Sequence, residues 1–475
     1  MMKRLAVPLA AIVAIGLLAA STDAAADAAA DAVQGWKAGA AKVVITPAAP
    51  VWMSGYPRDH PAEGKQQELW AKALVLQDAA GHRALLVTMD LVGIDRPTSQ
   101  RVCELLAKRY GLERRQIALN VSHTHCGPAI GRNLDGLLLL DEAQQHRVDE
   151  YTRQLIDKLV ALAGEAIEHL RPCHIAWGQG FSTIAVNRRT NTRQDAARVR
   201  ELGGLRGPSD FDVPVLTVRD PGGKLQAVVF GYACHPTVLD VEYRWSGDYA
   251  GCAQAALEAA HTDAIAMFWA GCGGDQAPRP KGTWEMTEAY GRRLAVSVEE
   301  VLAGATRPLE GSLTTIYDEI PLRLDKPPGP DELDKDTASR NKFIAARAKR
   351  LLAQLDSGQP LATTYPYPVQ LWQLGDVRWI FLGGEVVVDY ALRLKRELGP
   401  TTWVAGYSND VMAYIPSLRV LREGGYEGLN SMVYYGLPTR WSEDIEAQIV
   451  EQVQKERNQA FFPESIHPIS QPGSH

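Results

Sequence analysis

Ile117–Pro128 reads IALNVSHTHCGP, and we expect the rest of the fold to be organised around it. Its first five residues are apolar apart from one asparagine and predict a β-strand. His123 and His125 follow at alternate positions, and in extended backbone alternate side chains point to the same face of a sheet. The glycine-proline pair that comes next breaks the strand, so the sequence predicts two imidazoles at an exposed strand end.

Two interpretations of this histidine pair stay open. Neutral imidazole is the commonest protein ligand for zinc, and a His-x-His triplet at a strand end presents two imidazoles compactly. The alternative is a pair of hydrogen-bonded surface histidines. The triplet alone gives both interpretations similar weight.

The composition is that of an ordinary globular protein. The chain has 475 residues, of which 46% are hydrophobic and 22% charged, and this length allows one large or two medium domains. The formal net charge of −6 argues against electrostatic binding of nucleic acid, so we expect no such partner. Because no internal repeat or long linker is evident, we predict one domain over residues 36–462. The sequence leaves the oligomeric state open.

The N-terminus has the pattern of a secretory signal. Lys3 and Arg4 precede the apolar run Leu5–Ala20, and small residues up to position 26 offer cleavage sites. We predict a signal peptide over residues 1–26, a disordered Ala/Asp-rich lead-in over 27–35 and a disordered tail over 463–475. A signal anchor is the alternative, but the run is short for a membrane span. We therefore expect an exported protein without a transmembrane anchor.

Six cysteines in so long a chain do not make a disulfide framework. One or two bridges would be compatible with an oxidising compartment. Cys126, Cys234 and Cys272 lie beside motifs discussed below. Thiolate ligation of zinc stays open for them, although inert buried thiols are the commoner case.

Strands alternate with helices along the chain, and hairpins interrupt the alternation. This pattern predicts an α/β fold with mixed β-sheets flanked by α-helices, in a single large domain. The predicted elements include the hairpins Ala71–Gln77/Arg83–Met89 and Val369–Leu374/Val377–Leu382, the helices Arg96–Tyr110 and Gln145–Ile167, and one long charged helix over Glu332–Leu355.

Polar groups suited to one site follow four of the predicted strands. They are His123 with His125, His235, Glu385, and the loop that carries Tyr414 and Tyr426. Two histidines and a carboxylate form the ligand set of a hydrolytic zinc centre, in which an open position takes water. Each residue also has an ordinary structural explanation, such as a favourable first-turn helix position for Glu385. Spacing along the chain does not show whether these residues meet.

A set of short motifs occurs in one order from about Ala38 to Trp441. The motifs are ITP…GY, SHTHCGP, NRR, CHPT, SGDYAG, GGDQAP, GGE and GYSNDVMAYIP…YEG. The ordered set resembles the catalytic domain of the neutral, non-lysosomal ceramidases. The resemblance implies a zinc-dependent hydrolase in which metal-activated water cleaves an amide into a fatty acid and an amine. It thus implies a small-molecule or lipid amide as partner.

The resemblance also implies a role for individual residues. Those that resemble the family's zinc ligands are His123, His235, Glu385 and Tyr414. His125 resembles its proton-moving histidine, while Arg188 and Tyr426 resemble residues that hold and polarise the substrate carbonyl. Such donors would stabilise a developing oxyanion. A phenol is a reasonable ligand because the charge of a metal favours the phenolate.

Two departures from the family pattern bear on the substrate. The motif GGDQAP has Ala277 where the family has a serine, so a hydroxyl near the proposed metal is missing. Asp275 and the backbone amides of Gly273 and Gly274 are the candidates to replace it, which makes Asp275 a candidate catalytic residue. The chain also stops where ceramidases continue into a C-terminal immunoglobulin-like domain, which we expect to be absent.

Three functions stay open on this basis. The first is ceramidase-like cleavage of an N-acyl lipid or related amide, and the second is hydrolysis of a different polar amide or ester on the same scaffold. The third is a secreted binding protein that retains zinc but has lost turnover through Ala277. Hydrolysis is favoured because all the proposed ligands are present.

Overall fold

The computed structural model describes residues 35–461. The predicted signal peptide, almost all of the predicted lead-in and the predicted tail lie outside the described residues. The strands are β1 (Lys37–Val44), β2 (Gly64–Lys65), β3 (Trp70–Gln77), β4 (Arg83–Met89), β5 (Ile117–Val121), β6 (Arg171–Pro172), β7 (His174–Phe181), β8 (Ala185–Asn187), β9 (Asp212–Arg219), β10 (Leu225–Tyr232), β11 (Arg244–Trp245), β12 (Ile265–Ala270), β13 (Gln276–Pro278), β14 (Arg307–Pro308), β15 (Leu313–Arg323), β16 (Thr364–Leu374), β17 (Val377–Leu382), β18 (Glu385–Val386), β19 (Thr402–Ala405) and β20 (Tyr414–Ile415). The α-helices are α1 (Arg96–Tyr110), α2 (Asp135–Leu138), α3 (Glu142–Glu168), α4 (Ala196–Glu201), α5 (Asp248–Ala260), α6 (Trp284–Ala303), α7 (Pro330–Thr337), α8 (Lys342–Asp356), α9 (Val388–Leu398), α10 (Leu418–Glu423), α11 (Met432–Tyr435) and α12 (Ile445–Phe461).

Three larger sheets form the body of the part that the structure describes. Their strand orders are β5-β4-β3-β1-β6, β12-β10-β9-β7-β14 and β15-β16-β17-β19, and we call them the first, second and third sheets. Most neighbouring strands are antiparallel, but each sheet contains one parallel pair, namely β4–β5, β10–β12 and β17–β19. Three two-stranded ribbons, β2–β11, β8–β13 and β18–β20, lie beside them. The mixed α/β fold predicted from the sequence is confirmed.

A parallel pair of strands needs a crossover connection, and a helix forms part of each one here. α1 lies between β4 and β5, α5 between β10 and β12, and α9 between β17 and β19. α1 illustrates the local signals, because Asp95 accepts a hydrogen bond from the Thr98 N–H at its start and Gly111 adopts a φ of 67° at its end. The carboxyl ends of a parallel pair lie at one edge, where ligand sites of α/β sheets collect.

Apolar packing joins the sheets to one another and to the helices. α3 packs on the first sheet, α5 and α6 on the second, and α12 on the third. The core shared by the three sheets combines Leu74 and Leu76 of the first sheet with the tryptophans Trp177, Trp269, Trp372, Trp379 and Trp403 of the other two. Aromatic side chains of this size contribute much of the buried area of a core. The sheets therefore form one packed unit.

The side chain of Asn120, in β5, connects all three sheets. Its Oδ1 accepts a hydrogen bond from the Ala270 N–H at the end of β12, at 2.9 Å. Its Nδ2 donates to the Gly406 carbonyl just after β19, at 2.8 Å, and to Ser408 Oγ, at 3.0 Å. Asn120 is fully buried, so these bonds form away from water. They hold the carboxyl ends of β5, β12 and β19 together.

Several sequence predictions can be compared with these elements. Both predicted hairpins are present, as β3–β4 and β16–β17, and α1 has the predicted bounds. The long helix predicted over Glu332–Leu355 is wrong, since the structure has two helices there, α7 and α8. The break arises because Asn341 caps the second helix, its side chain accepting a hydrogen bond from the Phe343 N–H.

The predicted strand-end geometry of the histidines is also wrong. β5 ends at Val121, and His123 has a left-handed φ of 64°. The two imidazoles are therefore brought together by a turn and not by strand alternation. They are also less exposed than predicted, because His123 is buried and His125 is half-buried.

Replacing Asn120 by alanine should destabilise the fold by about 2–5 kcal/mol, because the Ala270 N–H and the Gly406 carbonyl lose a buried partner. Chemical denaturation, with the slope against denaturant unchanged, measures the difference. Asn458→Ala, at an exposed position of α12, is the matched control and should change stability by less than about 0.5 kcal/mol. Equal stability of the two variants would show that Asn120 does not hold the sheets together.

Candidate metal centre

The four residues proposed as metal ligands lie together in the structure. His123 follows β5, His235 follows β10, and Glu385 and Tyr414 begin β18 and β20. β18 and β20 are parallel, and Glu385 pairs directly with Tyr414 in their register. Each of the three sheets thus sends a chain segment from a strand end to the same place.

Backbone carbonyls fix the orientation of two of the imidazoles. The Nδ1 of His123 lies 2.5 Å from the Val92 carbonyl oxygen, and the Nδ1 of His235 lies 2.7 Å from that of Gly273. A carbonyl only accepts, so each Nδ1 carries a proton, and in the neutral ring each Nε2 presents a lone pair. This arrangement is the usual one for a histidine that binds a metal through Nε2.

The Nε2 atoms of these two histidines and one oxygen of Glu385 converge. Glu385 Oε2 lies 3.0 Å from His123 Nε2 and 3.1 Å from His235 Nε2. When both rings are neutral, no proton lies between these groups, and Glu385 Oε2 is buried without a hydrogen-bond donor among the described residues. Acceptors that converge without a proton repel one another, and a buried charge needs a partner. A cation would satisfy all of them, so these residues fit a metal ion.

Tyr414 lies at the edge of this group. Its hydroxyl is 3.3 Å from His235 Nε2 and accepts a hydrogen bond from Arg188 Nη2 at 2.9 Å. Burial raises the pKa of Tyr414 well above 10, while the adjacent Arg188 acts in the opposite direction. The phenolate form therefore needs an additional positive charge, which a bound metal would supply.

His125 differs from the other two histidines. Its Nε2 lies 3.2 Å from His123 Nε2, and the three imidazoles form a group whose ligand atoms lie within 4.8 Å of one another. Its Nδ1 is buried but has no hydrogen-bond partner among the described residues. No carbonyl therefore fixes the tautomer of His125, and its proton is free to change position.

The electrostatics favour the protonation states that a metal requires. Burial and the nearby Arg188 lower the pKa of His235 to about 4. Burial, together with His123 and His235, lowers the pKa of His125 well below 6.5. At neutral pH His125 and His235 are thus neutral, as a metal ligand or a general base requires.

A pocket of about 620 Å³ opens onto this group. His125, Arg188, Tyr414 and Tyr426 line it. The guanidinium of Arg188 lies over the rings of Tyr414 and Tyr426, at 5.6 and 5.8 Å. Tyr426 is 45% exposed, so its ring borders the opening.

The two residues of the GGDQAP motif discussed above occupy different places. Ala277, in β13, is buried and lines the pocket. The carboxylate of Asp275 accepts hydrogen bonds from the Val388 N–H at 2.9 Å and from Asn187 Nδ2 at 2.8 Å. The Asp275 carbonyl accepts one from the Arg188 N–H, also at 2.9 Å. These contacts lie in the wall that carries Arg188, and among the described residues Asp275 makes no hydrogen bond to the proposed ligands.

The structure adds residues that the sequence analysis did not single out. Tyr435 donates a hydrogen bond to Glu385 Oε1, and Glu427 pairs with Arg188 at 2.8 Å. The ring of Tyr56 meets that of His125 edge-on, with centroids 4.6 Å apart. Glu427 and Tyr56 lie inside quoted motifs, YEG and GY, whereas the burial of Arg188, which calls for a carboxylate partner, is visible only in the structure.

All six cysteines lie in the described part of the chain and are free. Cys126, Cys234 and Cys272 are buried. Burial raises the pKa of each of these three thiols, and none of them belongs to the group of described residues that could hold a metal ion.

Fold and site together define a mixed α/β protein whose buried histidines could hold a metal ion. The family model described as neutral/alkaline non-lysosomal ceramidase, N-terminal, matches residues 36–302. The chain belongs to this ceramidase family, and family membership supports an amide hydrolase. A comparison with curated protein sequences gives no match.

Solved structures show the same fold. The neutral ceramidase from Pseudomonas aeruginosa superposes with a TM-score of 0.72 at 18% identity, over 93% of this chain and 77% of that chain. A ceramidase complexed with C2 gives a TM-score of 0.70 at 19% identity, with the same coverage. At these identities the likeness concerns the fold. None of the helices in residues 35–461 has the length and hydropathy to cross a membrane.

Gly55 positions the ring of His125 and should not tolerate a side chain. Its φ is 91°, and an added Cβ would lie 2.5 Å from Cγ of His125. Gly55→Ala should therefore displace the imidazole and lower the rate of amide hydrolysis by about 100-fold, the effect of a misplacement near 1 Å. Steady-state kinetics on the best amide substrate measures the change.

Gly81→Ala is the matched control for backbone strain. Gly81 has a φ of 89°, but an added Cβ would have no neighbour within 4 Å. Gly81→Ala should lower the free energy of unfolding by about 1–2 kcal/mol and leave the rate of amide hydrolysis unchanged. Equal rates in the two variants would mean that the position of His125 does not matter.

Proposed function

We propose that the protein is an exported, zinc-dependent hydrolase that cleaves the amide bond of an N-acyl lipid or a related amide. The observation that carries the proposal is the convergence of His123 Nε2, His235 Nε2 and the buried Glu385 Oε2, with the Glu385 oxygen 3.0 and 3.1 Å from the two nitrogens. We assign these residues and Tyr414 as the zinc ligands. Nitrogen and oxygen donors of this kind suit zinc, and an open position would remain for water.

The chain's own residues would then divide the work as follows. Zinc, when bound, supplies a Lewis acid that makes hydroxide available near neutral pH. Arg188 and Tyr426, at the pocket wall, hold the carbonyl oxygen and stabilise the negative charge that develops on it. Oxygen from water bonds to the carbonyl carbon and the C–N bond breaks. His125 takes the proton from water and returns it to the leaving amine.

We assign Asp275 a positioning role in this scheme. Its carboxylate and carbonyl bond to Asn187, Val388 and the N–H of Arg188, so it fixes the wall that presents the guanidinium. Replacement of the missing serine hydroxyl by Asp275, expected from the sequence, has no supporting contact among the described residues. Export rests on the signal pattern of residues 1–26 alone.

His123 and His125 should behave differently although they are two residues apart. His123→Ala removes a ligand and should strip zinc, as should His235→Ala. His125→Ala should keep zinc and lose about 10²–10⁴ in rate, the contribution of a general acid–base group. Zinc content of the purified proteins and kcat separate the two effects. The exposed His174→Ala is the control and should change neither. Equal zinc loss in the His123 and His125 variants would show that the roles are misassigned.

Ala277→Ser tests how closely the substrate resembles ceramide. An unmet buried hydrogen bond costs about 1–3 kcal/mol, roughly ten- to a hundredfold in rate. An effect of this size changes which substrate is preferred but does not abolish hydrolysis. We expect weak ceramide hydrolysis by the natural chain, a rise of this size on adding the hydroxyl, and unchanged zinc content. The exposed Ala48→Ser is the control.

Two results would contradict this account of Ala277. Efficient ceramide hydrolysis by the natural chain would show that the hydroxyl is dispensable. Failure on every amide and ester with zinc bound would favour a zinc-retaining binding protein.

A further inference from the structure

The pocket beside the candidate metal centre is strongly cationic. Four basic side chains line it, namely Arg188, Arg189, Arg279 and Lys281. Glu427, the one carboxylate in its described lining, pairs with Arg188 at 2.8 Å and with Arg189 at 2.6 Å. Arg189 also pairs with Glu423 at 3.0 Å, so two carboxylates of the protein balance these two arginines.

Arg279 and Lys281 carry positive charge that the protein does not balance. Lys281 pairs with Asp240 at 2.8 Å, but Asp240 also holds Arg193. Arg279 has no carboxylate within ion-pair distance in the described part of the chain. Its Nη1 donates to the adjacent Pro278 carbonyl at 2.9 Å, and its Nε is buried without a partner. A half-buried guanidinium among other cations is costly unless an anion joins it.

The surroundings of Arg279 agree with this conclusion. Burial and the neighbouring Arg188 lower the pKa of Arg279, and burial likewise lowers that of Lys281. Arg279 follows Ala277 by two residues, and both line the pocket. Ala277 adds only a methyl group to the pocket wall. A planar guanidinium presents paired donors that match a carboxylate.

Another part of the same lining is apolar and aromatic. Leu137 lies there with Tyr426 and Tyr434, whose rings are 6.2 Å apart. The lining of one pocket thus combines the cationic groups of Arg279 and Lys281 with the apolar surface of Leu137 and Tyr434. This combination suits a molecule that carries both an apolar chain and an acid group.

We propose that the amine half of the substrate carries an acid group, so that the substrate class is N-acyl amino acids and not amides of neutral amino alcohols. Arg279 binds the carboxylate, with Lys281 beside it, while the acyl chain lies along Leu137 and Tyr434. This inference rests on the proposed amide hydrolysis. Water adds across the C–N bond, so that the products are a fatty acid and a free amino acid.

The test compares N-dodecanoylglycine with N-dodecanoylglycinamide, which differ in the terminal charge. Wild type should show a kcat/KM about 10–100-fold higher for the acid, the range expected for a charged hydrogen-bonded pair. Arg279→Gln should bring the ratio of the two values near one, through KM. Arg292→Gln, an exposed arginine of α6, is the matched control and should keep the ratio. The proposal would be overturned if wild type had the same kcat/KM for both compounds, or if Arg279→Gln kept the wild-type ratio of the two kcat/KM values.

Calorimetric binding of both compounds in the presence of EDTA separates this proposal from the proposed hydrolysis. If neither compound is cleaved but the acid binds more tightly than the amide, and Arg279→Gln removes the difference, the anion site stands and the hydrolase proposal fails. If both bind equally to wild type, the anion site is wrong whatever the turnover. Circular dichroism checks folding of each variant, and Lys281→Gln, expected to act in the same direction, replaces Arg279→Gln if that variant does not fold.

Discussion

The hydrogen bonds of the Asn120 side chain are the constraint on which the arrangement of this protein depends. One amide group, fully buried, reaches the ends of β12 and β19 from the interior of β5. Because an amide offers both a donor and an acceptor, it satisfies a backbone N–H of one sheet and a backbone carbonyl of another. The three sheets are thereby held with the ends of their parallel strands together, and the loops that follow those ends therefore lie next to one another.

What meets there is a set of acceptor groups that could hold a cation. The carbonyls of Val92 and Gly273 aim two lone pairs at a carboxylate oxygen, and the packing of the sheets prevents the groups from moving apart. The fold therefore supplies the energy needed to preorganise the site, and a metal would recover part of it on binding. Tyr435 and Arg188 hold Glu385 and Tyr414 in the same way.

The sequence predicted the elements better than their geometry. Local signals located α1 and the hairpins because caps and turns act within a few residues, and the ordered motifs indicated the family. The turn at His123 was missed because hydrophobic alternation does not reveal a residue with a left-handed backbone conformation. The division between α7 and α8 was missed because a charge pattern does not reveal a single capping asparagine. The grouping of His123, His235 and Glu385 could not be read from spacing, because it depends on the docking of separate sheets. The unbalanced charge of Arg279 likewise becomes visible only when its neighbours are known.

The order in which the chain is synthesised has a consequence for the metal site. His235 and Tyr414 are separated by 179 residues, and the histidines precede the entire third sheet. A nascent chain therefore displays the imidazoles long before the carboxylate and the phenol exist, and imidazoles alone bind many transition metals with little discrimination. Selection of the correct ion has to wait until the third sheet has docked. For the zinc site proposed above, the compartment in which folding finishes would thus decide which metal is acquired.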